Sequence, residues 1–309
     1  MRPTTKGYIL GALAAVSYGT NPLFAVPLYG MGLSVGSVLF YRYIVATLLL
    51  GIVMYFRGYS FRLTGRQTLL MILQGILFAL SSVGLFEAYR YMDVGIASTM
   101  LFVEPVIIAL ILWIFYRQRI SAGTMLAIAL SLGGMVFLAN PGPGANVTAT
   151  GVTLVMLSAL SYAVYMVLIN KTSLQHLPGY TLTFYSLLFG NLVMIAKVGF
   201  LTQLQPVPAT PLAISCAAGL SIFPTIVSIL TVAVAVQLIG SVPVSILGAL
   251  EPVTGVLIGV IIFGEFLTVK AIAGILLILL AVVVLVSHPR KLLTNGKAMF
   301  HNFRMPGRR

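Results

Sequence analysis

Residues 95–116 read GIASTMLFVEPVIIALILWIFY, twenty-two positions with a single charge, at Glu104. At 1.5 Å of rise per residue, about 20 apolar residues cross the hydrocarbon of a bilayer, so the stretch is long enough to span one. Its apolar residues run on without alternating, which excludes a strand of a membrane barrel. The carboxylate is the informative position. On insertion scales a charge at the centre of a spanning helix costs about 2.5–3.5 kcal/mol, so it persists where it faces a partner or a wet cavity. Pro105 follows it, and proline both lacks an N–H and crowds the carbonyl four residues back. The spacing predicts Glu104 near the middle of a helix, with the Leu101 carbonyl released beside it. The run at 241–263 reads the same way: Glu251-Pro252-Val253 repeats Glu104-Pro105-Val106, and the carbonyl released is that of Gly248.

Eight further apolar runs lie at approximately 7–28, 34–56, 68–89, 122–139, 152–169, 180–200, 212–234 and 271–287, which makes ten predicted spans. The separators carry loop chemistry: Arg57-Gly58, Pro141-Gly142-Pro143-Gly144, Pro178-Gly179, and Pro206 with Pro208. Composition agrees. The chain is 60% hydrophobic and 7% charged with a mean hydropathy of +1.08, whereas soluble domains carry about a quarter charged residues. A globule of this composition could not cover itself with polar surface, and a disordered chain would not be so apolar. The first run lacks a good cleavage site before Leu28 and is expected to be a retained helix rather than a signal peptide.

Several function classes drop out. The single cysteine, Cys216, permits neither an intrachain disulfide nor a thiolate zinc cluster, and His176, His288 and His301 all lie outside the apolar runs. There is no Walker loop, no HExxH and no GxSxG nucleophile elbow. An enzyme, an ATP-driven pump and a resident cofactor or metal are therefore not expected. The formal charge of +13 does not point to nucleic acid, because its cations sit in short loops and a tail. Fourteen of the eighteen Lys and Arg fall on the side of the amino terminus. Arg90, Lys197 and Lys270 fall on the other, and Arg42 lies within a helix. This bias predicts a plasma (inner) membrane protein with both termini cytoplasmic.

The two halves repeat. Leu13-Ala-Ala-Val-Ser-Tyr18 matches Leu157-Ser-Ala-Leu-Ser-Tyr162, and the same offset of 144 puts Phe40-Tyr41 on Phe184-Tyr185. The two Glu-Pro-Val triplets are offset by 147, which places Gln118 on Glu265. An odd number of spans in each half inverts the second relative to the first, and inverted repeats set a substrate site near the midplane. The expected fold is thus an all-α polytopic membrane protein of ten transmembrane helices: residues 1–145 form the first five-helix repeat, 146–287 the second, and 288–309 a basic cytoplasmic tail.

On these residues, together with Gly264-Glu265-Phe266-Leu267-Thr268 before the last span, the chain resembles the EamA-type branch of the drug/metabolite transporter superfamily over roughly residues 7–287. It departs from that pattern at Gln118, where the second repeat has Glu265, and at Tyr18 and Tyr162, where many relatives carry Trp. The resemblance implies a secondary carrier that exports amino acids or related metabolites. Organic cations or drugs are the rival substrate class. A non-transporting scaffold or receptor subunit is the rival from outside transport.

The candidate substrate-binding residues are Glu104, Glu251, Tyr18, Tyr162, Tyr165 and Arg42, with Pro105 and Pro252 as helix breaks. A carboxylate beside aromatic faces suits an ammonium group, and carboxylates inside a membrane also serve as proton relays, so coupling to protons is an expectation. Against this stands a purely structural reading, in which each Glu bonds a neighbouring helix and locks the bend. Arg42 would either grip a substrate carboxylate in a bidentate fork, pair with an acid such as Glu87, or snorkel outward. Glu87, Arg90 and Asp93 suggest a polar outer rim. Tyr8, Tyr29, Tyr55, Tyr116 and Trp113 suit the interfacial belt. Gly133-Gly134 and Gly274 suit close packing of the fifth and tenth helices. The tail after Ser287 would lie on anionic lipid or remain disordered. The partners expected are a small-molecule substrate and the lipid bilayer.

Overall fold

The computed structural model describes residues 2–88, 91–92, 97, 100–139, 148–263 and 268–287. Every regular element among them is helical. In chain order these are α1 (Pro3–Gly19), α2 (Asn21–Gly30), α3 (Val35–Phe56), α4 (Gly65–Ala88), α5 (Glu104–Tyr116), α6 (Ala122–Ala139) and α7 (Ala149–Lys171). After a short 3-10 turn follow α8 (Gly179–Lys197), α9 (Pro211–Ser221), a π-helical turn (Ile222–Val227), α10 (Ser228–Ile239), α11 (Ser241–Leu247), α12 (Leu250–Phe263) and α13 (Val269–Ser287). Among the described residues seven helical stretches are long and apolar enough to cross a membrane: 3–30, 35–56, 65–88, 149–171, 179–197, 211–239 and 241–262. Three shorter apolar helices accompany them, at Glu104–Tyr116, Ala122–Phe137 and Ile272–Ser287. Arg90, Asp93, Glu265 and the tail beyond Ser287 lie outside the described residues.

Unlike a soluble protein, the molecule is apolar at its surface as well as in its core. Phe56, Phe115, Ile261 and Val269 stand exposed, while Arg42, Gln74, Thr183, Ser186 and Asn191 are buried. A hydrocarbon solvent selects that surface and favours protein partners for the polar groups inside, although Gln74 Nε2 and Asn191 Oδ1 are left without one. Gln74 accepts from Ser186 Oγ at 2.8 Å, and Asn191 Nδ2 donates to Thr47 Oγ1 at 2.9 Å. Helices approach closely where glycine removes the side chain. A Cβ on Gly134 of α6 would lie 2.7 Å from the Gly274 carbonyl of α13, and one on Gly75 of α4 would lie 2.9 Å from the Ser186 carbonyl of α8. Gly133, expected to share the α6–α13 contact, faces open space instead.

Four of the apolar runs are interrupted, each at a proline. In the first, Pro22 supplies no N–H to the Tyr18 carbonyl, and the Asn21 side chain donates to that carbonyl at 2.8 Å in its place. In the eighth, Pro224 leaves the Leu220 carbonyl without its usual donor, and the Thr225 hydroxyl fills the gap at 2.8 Å. A π-helical turn is the outcome. The two Glu-Pro runs break outright. Glu104 opens α5 and Glu251 lies in the first turn of α12, so neither sits inside a continuous helix as the sequence suggests. The expectation of a free Gly248 carbonyl is also corrected. It accepts the Glu251 backbone N–H at 2.9 Å, because the chain tightens by one residue to keep that group bonded away from water.

Candidate functional site

The two breaks face one cavity. It holds about 810 Å³ of space not filled by protein, its mouth included, and its walls come from both halves of the chain. Tyr18 reaches it from the end of α1 and Tyr162 from α7, while Glu104 and Glu251 enter from the heads of α5 and α12. Phe78 and Phe86 of α4 and Phe102 before α5 add aromatic surface. Placing an acid in the first turn is favourable locally, since the helix N-terminus carries a partial positive charge.

The polar groups of the wall are unequal. Ser81 shares a hydrogen bond with Ser158 at 3.1 Å, and Ser82 shares one with Tyr43 at 3.0 Å, so these hydroxyls are committed to packing α3, α4 and α7 together. Ser245 donates to the Val242 carbonyl at 2.9 Å. Glu104 is different: its Oε1 is buried without any hydrogen-bond partner. A buried carboxylate oxygen in that condition costs roughly 1–3 kcal/mol or more, which a ligand donor would recover. Glu104 and Glu251 line the same cavity. Among the described residues of the wall there is no Lys, Arg or His.

Tyr165 and Arg42 do not line the cavity. Tyr165 lies one layer behind, its ring stacked 5.2 Å from Tyr162 and 5.2 Å from Phe78. It holds the wall rather than forming it. Arg42 is 2% exposed and sits behind Tyr18, its guanidinium carbon 5.0 Å from that ring's centre. It donates from Nε to Thr225 Oγ1 at 2.6 Å, from Nη1 to Asn21 Oδ1 at 3.2 Å and from Nη2 to the Pro224 carbonyl at 3.1 Å. The expected pairing with Glu87, and the alternative of snorkelling outward, are both corrected: Arg42 points inward to the two proline breaks, and Glu87 forms an ion pair with Lys197. Sequence reasoning missed Asn21, Pro224 and Thr225. Their signal was present in Asn21-Pro22 and Pro224-Thr225, where a side chain beside a proline replaces the bond the proline removes.

Of the belt residues, Tyr55, Tyr116 and Trp113 are exposed as expected, and Lys171 stands over the Tyr116 ring at 5.5 Å. Among the described residues no group of three His, Cys, Asp or Glu could hold a metal.

The sequence matches the EamA-like transporter family over residues 5–140 and 149–287. It is 28% identical over 203 residues to an uncharacterized transporter of Archaeoglobus fulgidus, covering 64% of this chain and 68% of that one. It is 24% identical over 290 residues to the uncharacterized transporter YvbV of Bacillus subtilis, covering 91% of each. The fold is similar to that of a protein of known crystal structure, with a TM-score of 0.78 at 16% identity over 94% of this chain and 99% of that one.

Proposed function

The chain belongs to the EamA-like transporter family, and from that premise we propose that it is a ten-span secondary carrier which exports small ammonium-bearing metabolites, amino acids among them, by alternating access. The protein is a multi-pass membrane protein whose family and relatives are named for transport rather than catalysis. The ten spans comprise the seven long helices and the three shorter apolar ones. Two features support an inverted repeat. The family match falls in two stretches of nearly equal length, and the packing has the corresponding symmetry. Helix α4 packs on α7 as α10 packs on α1, and α5 on α7 as α12 on α1, while α6 meets its counterpart α13 directly. Thr47 and Asn191, equivalent at the offset of 144, hydrogen bond to each other across the repeat interface. Rocking one repeat against the other about such a site is the standard form of alternating access.

The cation bias of the loops supports cytoplasmic termini in the plasma (inner) membrane. In a background with Cys216→Ala, a cysteine at Ala209 is expected to react with an impermeant reagent added outside intact cells, and one at Gly65 is not. Labelling of Gly65 from outside would reverse the orientation.

The observation that carries the substrate reading is the partnerless Oε1 of Glu104 in a cavity lined by aromatic rings and, among the described residues, by no cation. An ammonium supplies the missing donors and gains from the ring faces. An amino acid's carboxylate would then meet Ser228 or the tyrosine hydroxyls, because Arg42 is withheld from the wall. That same absence favours a second reading, a carrier of amines and organic cations that lack a carboxylate. Uptake of labelled amino acids and of alkylamines into proteoliposomes, with and without a pH gradient, separates them. Transport of amino acids alone supports the first, and of amines alone the second. Stimulation by the gradient supports proton coupling, and absence of flux for both classes overturns the proposal.

A further inference from the structure

Two residues of the cavity wall stand about one helical turn from a proline break. Tyr18 precedes Asn21 by three positions, and Ser228 follows Thr225 by three. The side chains that satisfy the carbonyls freed at the breaks are shared with Arg42. Asn21 Nδ2 donates to the Tyr18 carbonyl at 2.8 Å, while its Oδ1 accepts from Arg42 Nη1 at 3.2 Å. The Thr225 hydroxyl donates to the Leu220 carbonyl at 2.8 Å and accepts from Arg42 Nε at 2.6 Å. The Ser228 N–H bonds to the carbonyls of Phe223 and Thr225 and passes over that of Pro224, which accepts from Arg42 Nη2 at 3.1 Å. The guanidinium also stands over the Tyr18 ring, 5.0 Å from its centre. One side chain of α3 thus holds both breaks and the ring.

The corresponding pair of helices is built differently. Helices α4 and α7 pack on each other as α10 and α1 do, but each runs unbroken past the cavity, and Ser81 and Ser158 join them directly. At the offset of 144 from Arg42 stands Ser186, whose hydroxyl bonds to Gln74 of α4. A guanidinium is found where the helices are broken, and a hydroxyl serves where they are not. Beyond the breaks α2 and α9 are anchored, sharing a small core of Leu28, Ala213, Cys216 and Leu220 with Val38 of α3. Proline and a π-turn bend a helix by an amount its surroundings decide, and here the surroundings include Arg42.

We infer that Arg42 is a positioning residue: by holding the Asn21-Pro22 and Pro224-Thr225 breaks it sets the directions of α1 and α10, and so places Tyr18 and Ser228 on the cavity wall. It reaches the substrate only through those two side chains, and its effect on affinity rests on the carrier reading of the cavity. The site takes geometry from it rather than charge. A planar fork meets three acceptors in fixed directions, whereas the lysine ammonium is a single point.

A lone tryptophan reports the placement directly. Trp113→Phe removes the chain's one tryptophan, and Tyr18→Trp then puts an indole on the wall. Arg42→Lys and Thr225→Val are expected to shift its emission to the red and to raise its quenching by acrylamide. Thr225→Ser, which keeps the hydroxyl, is expected to do neither. In proteoliposomes, with Tyr18 restored, uptake of labelled L-leucine and of n-hexylamine is measured. For whichever the wild type carries, Arg42→Lys and Thr225→Val should raise the half-saturating concentration at least about tenfold, in line with the cost of a misplaced site. Thr225→Ser should match the wild type. In a Tyr18→Ala, Ser228→Ala background Arg42→Lys should add nothing, because the groups it places are gone. A purely structural arginine predicts instead a lower melting temperature with normal affinity and an unmoved indole. Unchanged emission and quenching in folded Arg42→Lys and Thr225→Val proteins overturn the inference, and Thr225→Val decides alone where Arg42→Lys fails to insert. Absence of wild-type flux for both compounds sinks the carrier reading, and the indole still decides the placement of Tyr18.

Discussion

Glu104→Gln is expected to raise the half-saturating concentration for an ammonium substrate roughly 10- to 100-fold while leaving a monodisperse, inserted protein. The magnitude comes from the bond removed. A hydrogen bond to a charged group contributes about 1.5–3 kcal/mol, and each 1.4 kcal/mol is tenfold in affinity. The substitution keeps the shape and one acceptor oxygen, so the first turn of α5 need not move. Glu104 Oε1 has no partner in the folded protein, which means no intramolecular bond is lost with the charge. A structural role predicts the opposite ordering: normal transport together with lowered thermal stability. Glu251→Gln should act more weakly on affinity, since the buried carboxylate oxygen left without a partner belongs to Glu104. Equal, large losses for the two variants would show that the repeats use their glutamates symmetrically. Transport kinetics and melting in detergent, measured on the same preparations, decide between these outcomes. Normal flux and unaltered affinity in Glu104→Gln would leave the Glu-Pro pairs as architecture.

What the sequence conveyed about the glutamates was their depth and their pairing, because charge in an apolar run and a repeated tripeptide are both one-dimensional signals. It could not convey that each Glu heads a half-helix. Hydropathy is the same on either side of Gly248 and Ala249, and proline alone does not distinguish a kink from a break. The cavity's aromatic wall was also hidden. Phe78 and Phe86 face the cavity while Phe56 and Phe115 are exposed on the outside. In a chain dissolved in hydrocarbon both surfaces select apolar residues, so no periodicity separates them. Arg42 illustrates a third kind of limit. Its depth was legible, since it lies well inside its run, but burial was not separable from snorkelling, and its partners come from positions 21, 224 and 225 and are set by tertiary packing alone. Once the breaks at Pro22 and Pro224 are known, the reason becomes clear. Each proline distorts its helix and brings an oxygen, from Asn21 or from Pro224 itself, toward the guanidinium.

The contact between Gly19 and α12 carries the second large effect. Gly19→Ala adds one methyl group, whose carbon would lie 2.5 Å from the Glu251 carbonyl oxygen and 2.6 Å from Thr254 Cβ. Both neighbours belong to one helix, and the closer is backbone, so no rotamer change relieves the clash. Either α1 or the head of α12 must shift, at a cost of about 1–3 kcal/mol for an overpacked contact. Gly30→Ala is the control. It places the same methyl group in the same proline-broken run, where nothing lies within 4 Å. Gly30→Ala should melt and transport like the wild type. Gly19→Ala should melt several degrees lower and lose more flux than that destabilisation explains, because the shift moves Glu251 relative to Tyr18 and Arg42. In a preorganised site a misplacement of about 1 Å costs on the order of 100-fold. Glycine at this position also lets α1 and α12 slide past one another, which any rocking of the two repeats requires. The discriminating measurement is therefore binding against turnover. If the contact only supports the fold, substrate affinity per folded molecule stays normal and flux falls in proportion to folded protein. If it serves the site and its motion, affinity weakens and turnover per folded molecule drops as well. A Gly19→Ala protein that matches Gly30→Ala in both would show that the two helices have room the packing denies them.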